Sequence, residues 1–385
     1  MKVFNNIKKA LSVLCICCCM LGTAIAEDPV YKIGLHFELT GAVADYGTTE
    51  HKAAKLAIDL ANKAAGYEKY IAVEYDNKSD AIEAVTISTK LASEGVIAVV
   101  GPSTSGASAA TYPILSQSNV VVLSPSATQN NVTRMDPSNP ESPVYDYVFR
   151  TAFEDSYQGA ALAQFANDNL QAKKVVIYGD YSNDYSKGVM ESFTTQFTKL
   201  GGEVVKTEYF TSNDTDFSSV LTSVKAMDFD ALFIAGYYNE AGLIIKQARE
   251  MGIDKTIIGA DGFDSESLIT LAGAGNLNNV YYTTGYTSVD ASPELTAFIT
   301  AFKEAYNEEP GMFAALAFDA TNVIIQGIES GATDAQALQA ATKAIEFKGI
   351  TGSFTFDESH TPIKSVLVVE LKDGKQSTAV SVNPQ

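Results

Sequence analysis

The chain has no tryptophan, only three histidines and only four cysteines, and every cysteine falls between positions 15 and 19. Those positions lie in an N-terminal stretch with basic residues Lys2, Lys8 and Lys9, an apolar run from Ala10 to Leu21, and the small-residue triplet Ala24-Ile25-Ala26. This is the pattern of a cleavable export signal, predicted over residues 1–26. The apolar run is too short to span a bilayer, and no cysteine follows the Leu-x-Gly/Ala sequence of a lipid-attachment site. A chain processed after Ala26 carries no cysteine, which excludes disulfides, thiolate metal sites and a cysteine nucleophile.

Positive charge is also scarce. Lys and Arg number 27 against 46 Asp and Glu, and loss of the three signal lysines leaves 24 against 46, a net charge of −22. Nucleic acid and anionic membrane are poor partners for such a surface. Catalytic patterns are missing as well. His36, His51 and His360 stand in no recognisable pairing, and Gly101-Pro102-Ser103-Thr104-Ser105-Gly106 places its second glycine one residue too late for a nucleophile elbow. No G-x-G-x-x-G opens a helix after a strand. Asp261, Asp264 and Glu266 lack the spacing of a calcium loop, and Asp264-Ser265 is better read as the cap of a following helix. No enzyme activity, cofactor or metal is expected.

What the chain does have centres on residues 101–133. The apolar run Val96–Val100 predicts a buried strand that stops at Gly101-Pro102. A hydroxyl cluster, Ser103-Thr104-Ser105-Gly106, then opens a helix reaching about Gln117. A second apolar run, Val120–Leu123, ends in another hydroxyl loop, Ser124-Pro125-Ser126-Ala127-Thr128. Between Lys90 and Arg134 the only charge is Glu94. Helix N–H groups and neutral hydroxyls without a cation suit a soft anion such as a carboxylate, whereas a phosphate site usually adds Lys or Arg. Ordinary helix capping explains the same residues if they are taken alone.

Strand–helix alternation runs through the whole chain. Strands are predicted at Val30–Leu35 and Tyr70–Tyr75, with a helix from about Thr48 to Lys63 between them and another over Ala81–Glu94. Three prolines within Pro137–Pro143 mark a surface excursion. A second alternating series follows: helix Asp155–Asn169, strand Lys174–Tyr178, strand Glu203–Tyr209, helix Asp216–Met227, strand Ala231–Ala235 and strand Thr256–Gly259. Helices are expected near Pro293–Asn307, Phe313–Ser330 and Asp334–Ile345, then β-rich sequence at Gly352–Phe356 and Ile363–Leu371. Two tandem α/β series of this length predict two doubly wound lobes with parallel sheets.

Several loops together resemble the branched-chain amino-acid-binding family of periplasmic ABC-transporter receptors, the type I binding proteins. They are Thr40-Gly41…Tyr46-Gly47, Gly101-Pro102…Thr104-Ser105-Gly106, Ser124-Pro125-Ser126-Ala127-Thr128, Val148-Phe149-Arg150-Thr151, Asp184-Tyr185-Ser186-Lys187-Gly188, Thr215-Asp216-Phe217, Gly236-Tyr237-Tyr238 and Lys246–Gly252. The resemblance implies two Rossmann-like lobes joined by three hinge crossings, near Phe149, Thr284 and Gly352. Lobe 1 would comprise 27–148 plus 285–352, with the late helices in it, and lobe 2 would comprise 149–284 plus 353–385. The same resemblance puts Ser105 and Thr128 on a ligand α-carboxylate with help from the backbone at Ser126, and Asp261 on its α-ammonium. Tyr46, Tyr185 and one of Tyr237 or Tyr238 would form aromatic walls.

The implied role is capture of a small amino acid, aliphatic or branched-chain in type, for an inner-membrane permease, by a periplasmic monomer. A sensor or receptor for a small carboxylate or amide is the alternative. Ser103, at the side-chain end of the pocket, departs from an apolar lining; Glu38 nearby is a candidate contact for a cationic side chain.

Overall fold

The structure, a computed structural model, describes residues 28–289 and 291–384. The export signal expected over residues 1–26 lies outside the described residues. The first alternating series is β1 (Tyr31–Phe37), α1 (Ala44–Ala65), β2 (Tyr70–Asp76), α2 (Ala81–Ser93), β3 (Ala98–Val100), α3 (Ser105–Gln117), β4 (Val121–Ser124) and β5 (Val148–Arg150). The second is α4 (Asp155–Asp168), β6 (Lys174–Asp180), α5 (Asp184–Lys199), β7 (Glu203–Phe210), α6 (Ser218–Lys225), β8 (Ala231–Ala235), α7 (Tyr238–Glu250), β9 (Thr256–Gly259), α8 (Glu266–Ala272) and β10 (Val280–Thr284). The chain finishes with α9 (Pro293–Tyr306), α10 (Met312–Glu329), α11 (Ala335–Lys343), the short hairpin β11 (Phe347–Gly349) and β12 (Gly352–Phe354), then β13 (Val366–Lys372) and β14 (Lys375–Val382).

These elements build two α/β layers. One sheet has the order β2-β1-β3-β4-β5 and is parallel throughout. The other has the order β14-β13-β10-β9-β8-β6-β7, parallel from β10 to β7 and antiparallel at the β13–β14 edge. The central strands β3, β4 and β8 are buried along their whole length. Helices cover both of their faces, which is why their sequences are unbroken apolar runs rather than alternating ones.

Late in the chain, α10 returns to the first sheet, packing along α1 and against β3 and β4. Its Asp319, 1% exposed, accepts from Ile350 N–H at 3.0 Å and Thr351 N–H at 2.9 Å in the turn between β11 and β12. A carboxylate on the first sheet's helix thereby holds the strand that leads out toward the second sheet.

Helix α1 begins at Ala44, four residues before the expected Thr48. Gly47 explains the difference. It packs inside the first turn, where an added Cβ would meet the Glu38 carbonyl oxygen at 2.3 Å, so this glycine serves close approach and does not break the helix. Helix α7 likewise begins at Tyr238, inside the stretch expected to be loop. The expected cap at Ser265 is present: its hydroxyl accepts from Ser267 N–H at 3.0 Å and Leu268 N–H at 3.4 Å.

Candidate functional site in an enclosed cleft

The two hydroxyl loops and the loop after β9 meet across the gap between the sheets. They line a small cleft bounded by Tyr46, Ser103, Thr104, Ser105, Ser126, Thr128, Tyr185, Tyr237, Asp261, Gly262 and Phe313. Seven of the eight residues singled out from sequence are in this lining: Tyr46, Ser105, Ser126, Thr128, Tyr185, Tyr237 and Asp261. The eighth, Tyr238, is not. Its hydroxyl accepts from Asp45 N–H at 3.3 Å and donates to the Ala42 carbonyl at 3.3 Å, so of the two adjacent tyrosines it is Tyr237 that faces the cavity.

The anion-side donors are arranged by α3. Thr104 caps this helix, accepting from Ala107 N–H at 3.4 Å, while its own N–H goes to Glu38 at 3.2 Å. Among the first-turn amides of the described helix, Ser105 and Gly106 are left without a capping side chain, and first-turn amides have no acceptor within the helix. Ser105 Oγ accepts from Gln129 N–H at 3.1 Å, which leaves its proton free to donate into the cavity. The nearest strong cation, Arg150, is fully buried and fully engaged. It donates to the Ala127 and Gln129 carbonyls at 3.2 and 2.8 Å and to Thr361 Oγ1 at 2.9 Å, and pairs with Glu154. A guanidinium thus shapes the loop without reaching the cavity, and the anion side stays neutral.

The opposite wall carries one carboxylate. Asp261, 3% exposed, accepts from Gln158 Nε2 at 2.9 Å, and its own N–H donates to Gln158 Oε1 at 3.2 Å. Burial pushes its pKa up to about 6, against the opposing pull of hydrogen bonds from Gln158 and Tyr185. Gln158 also donates to Asp155 Oδ1 at 2.8 Å, and its orientation is set by Thr283 Oγ1, which donates to Oε1 at 2.7 Å. Asp155 is fully buried, and burial together with the Asp261 charge raises its pKa well above the usual carboxylate range. One negative charge on the pair, at Asp261, is the arrangement with the lower cost, because two ionised carboxylates this close repel.

Aromatic rings close the remaining sides. Tyr185 and Tyr237 stack with centroids 5.2 Å apart, and Tyr46 lies edge-on to Tyr237 at 5.6 Å and against Phe313 at 4.4 Å. Two tyrosine hydroxyls hold Gly262 in the loop after β9, and Tyr46 does so from the opposite wall. Tyr46 donates to the Gly262 carbonyl at 2.5 Å and accepts from Tyr238 N–H at 3.2 Å, and Tyr185 Oη accepts from Gly262 N–H at 2.9 Å. An added Cβ at Gly262 would meet Tyr185 Oη and the Gly236 carbonyl, both at 2.9 Å, so the lining needs glycine there.

Glu38 is not a cavity contact. It is fully buried and accepts from Ser103 N–H at 3.0 Å and from Thr104 Oγ1 at 2.9 Å, bracing the loop from behind. Sequence reasoning missed Phe313, Gln158, Asp155 and Glu50. Of these, only Glu50 carried a local signal: it lies one helical turn after Tyr46, on the α1 face that holds Ala53, Ala54 and Ala57. Among the described residues no group of three or more His, Cys, Asp or Glu is placed to hold a metal ion.

Two α/β sheets that enclose a small cavity, with neutral anion donors on one wall and a lone buried carboxylate on the other, define a two-lobed solute receptor of the type I binding-protein fold. The chain belongs to the periplasmic binding protein family, whose sequence model matches residues 30–376. It is 29% identical over 338 residues to the leucine-, isoleucine-, valine-, threonine- and alanine-binding protein of Pseudomonas aeruginosa, covering 87% of each chain. It superposes with a TM-score of 0.86, at 40% identity, on the branched-chain amino acid transporter substrate-binding protein LivJ from Streptococcus pneumoniae in complex with isoleucine, covering 92% of this chain and 100% of that one. The leucine-binding protein LivK from Thermotoga maritima matches with a TM-score of 0.82 and 33% identity, over 92% and 99% of the two chains.

Proposed function

We propose that this chain is an exported receptor that captures a small α-amino acid, aliphatic or branched-chain in type, between its lobes and delivers it to a membrane ABC permease without a chemical step. One observation carries the reading: a buried, ionisable Asp261 faces free neutral donors at Ser105 and the start of α3 across one small cleft. An ammonium fits Asp261, since an enclosed cation left unpaired costs several kcal/mol. A carboxylate fits the Ser105 hydroxyl, the α3 amides and Thr128. The rings of Tyr46, Tyr237 and Phe313 suit an apolar side chain, and the isoleucine held by the pneumococcal relative agrees with that chemistry. The ligand expected here binds at roughly 0.1–10 μM, about −7 to −9.5 kcal/mol.

On the same reading lobe 1 comprises 27–148 plus 285–352 and lobe 2 comprises 149–284 plus 353–385. Closing these lobes about their crossings would bring Asp261 to Ser105, and the closed monomer is the form offered to the permease. Thermal-shift screening of the twenty amino acids against the purified chain tests the assignment. Leucine, isoleucine or valine should raise the melting temperature, and no response to any amino acid would contradict it.

A further inference from the structure

The turn that opens α1, residues 42–45, belongs to the first sheet's layer, where α1 packs on β1 and α10. Its polar groups are met from the other layer. Val43 sits at the N-cap and supplies no side-chain acceptor. The Asp45 amide instead donates to the Tyr238 hydroxyl of α7 at 3.3 Å, and that hydroxyl donates to the Ala42 carbonyl at 3.3 Å. The Ala42 carbonyl also accepts from Asn239 Nδ2 of α7. On the Asp45 side chain, Oδ2 accepts from the Ser265 hydroxyl and from Ser267 N–H at 3.3 Å, both at the start of α8. Helix α8 packs on α7, so every one of these partners lies in the second layer.

Two features set this strip apart from the cleft lining. Neither Asp45 nor Asn239 borders the cleft, so neither is placed to touch a ligand. The strip can also part without stranding a polar group. Asp45, Ser265 and Ser267 are only half-buried, and the Ser265 hydroxyl oxygen already accepts from Ser267 N–H at 3.0 Å. With the two sides drawn apart, water would take the Asp45 carboxylate and Ser265 would keep the Ser267 amide. Tyr46 differs on both counts: it lines the cleft, and its bond to the Gly262 carbonyl is buried.

We infer that Asp45 is a positioning residue for ligand release: it ties α1 to α8 in the closed form alone, touches no ligand, and lengthens the residence of every ligand by one common factor. This rests on the reading of the chain as a receptor whose lobes close over an amino acid. A contact made only after closure stabilises the closed form and leaves encounter with the open form untouched. Its loss therefore appears in the dissociation rate. Two hydrogen bonds to a carboxylate that water partly replaces correspond to about a tenfold effect. A contact to the ligand itself would instead separate one ligand from another.

Stopped-flow tyrosine fluorescence of the full chain with L-leucine, L-isoleucine and L-valine tests this. Asp45→Ala should raise the dissociation rate of all three by about tenfold, with factors within about twofold of one another and association rates unchanged. Asn239→Ala, which removes the bond to the Ala42 carbonyl, should act in the same direction on all three. Dissociation from Asp45→Ala at the parent's rates would overturn the inference, as would a change confined to one ligand. A merely structural role would lower the melting temperature and the fraction of chain that binds, while leaving the dissociation rate of the remainder as it was. That result also overturns the inference and spares the receptor assignment. Failure of the parent chain to bind any amino acid would instead remove the reading on which it rests.

Discussion

Gln158 meets Asp261 twice, its amide nitrogen donating to Oδ1 at 2.9 Å and its amide oxygen accepting from the Asp261 N–H at 3.2 Å. The two-point contact fixes both the carboxylate and the short turn that presents it. Its donor arm also holds the Asp261 pKa down against burial. Gln158→Leu removes both bonds and should weaken amino-acid binding by about 1–3 kcal/mol. It should also move the acid limb of binding to higher pH, because the bond that favours the ionised form is gone. Calorimetry as a function of pH reads both effects, and a packing role alone would leave the pH limb where it was.

Burial raises the Asp261 pKa from its ordinary value of 3.8 to about 6. Protons therefore compete with the ligand ammonium, and affinity should be flat above about pH 7 and fall as the pH drops through 6. Stability of the free protein runs the other way at this residue. A folded-state pKa above the unfolded one means that the ionised form costs stability at neutral pH, a cost that disappears below the unfolded value. Asp261→Asn should therefore stabilise the free protein by about 2–3 kcal/mol at pH 7 and by almost nothing near pH 3, while abolishing amino-acid binding. Denaturant titrations at the two pH values check the stability arm.

On the anion wall, Ser105→Ala deletes a hydroxyl whose proton is free because its oxygen already accepts from Gln129 N–H. The expected loss is about 1–3 kcal/mol in binding. Thr128→Ala should cost a similar amount, about 1–3 kcal/mol. Losses indistinguishable from zero at both positions, measured by calorimetry, would move the carboxylate elsewhere.

Asp319 joins α10 to the β11–β12 turn through bonds to two backbone amides and to Thr351 Oγ1 at 2.5 Å. Asp319→Ala leaves those half-buried donors without their partner and should destabilise the fold by about 1–3 kcal/mol. Equilibrium unfolding measures it, and a change below about 0.5 kcal/mol, the range of ordinary surface substitutions, would contradict the assigned role.

Much of the site was legible because its parts are local. The Ser103–Ser105 cluster opens α3, whose observed span Ser105–Gln117 ends where the sequence suggested, and the second hydroxyl loop follows a strand in the same way. Asp261 was picked out by the family resemblance, which places an acid in the loop after β9; by itself a turn Asp before Gly262 carries no such mark. Gln158 could not: it meets Asp261 across 103 residues, and a glutamine inside an amphipathic helix carries no mark of that contact. Glu50 carried a faint mark, its place on the α1 face of Ala53, Ala54 and Ala57, but the hydroxyl loops that bury it come from elsewhere in the chain. Strand β14 was missed because most of its residues are exposed at an antiparallel edge, without an apolar run.

Comparing L-valine with 3-methylbutanoate, the same carbon skeleton without the ammonium, tests the zwitterion grip most directly. Valine should bind in the micromolar range or tighter. The analogue should bind at least about 1,000-fold more weakly, because it leaves Asp261 sealed in the cleft with no cation. Equal affinities for the two would contradict the grip and mark the cavity as a site for simple carboxylates.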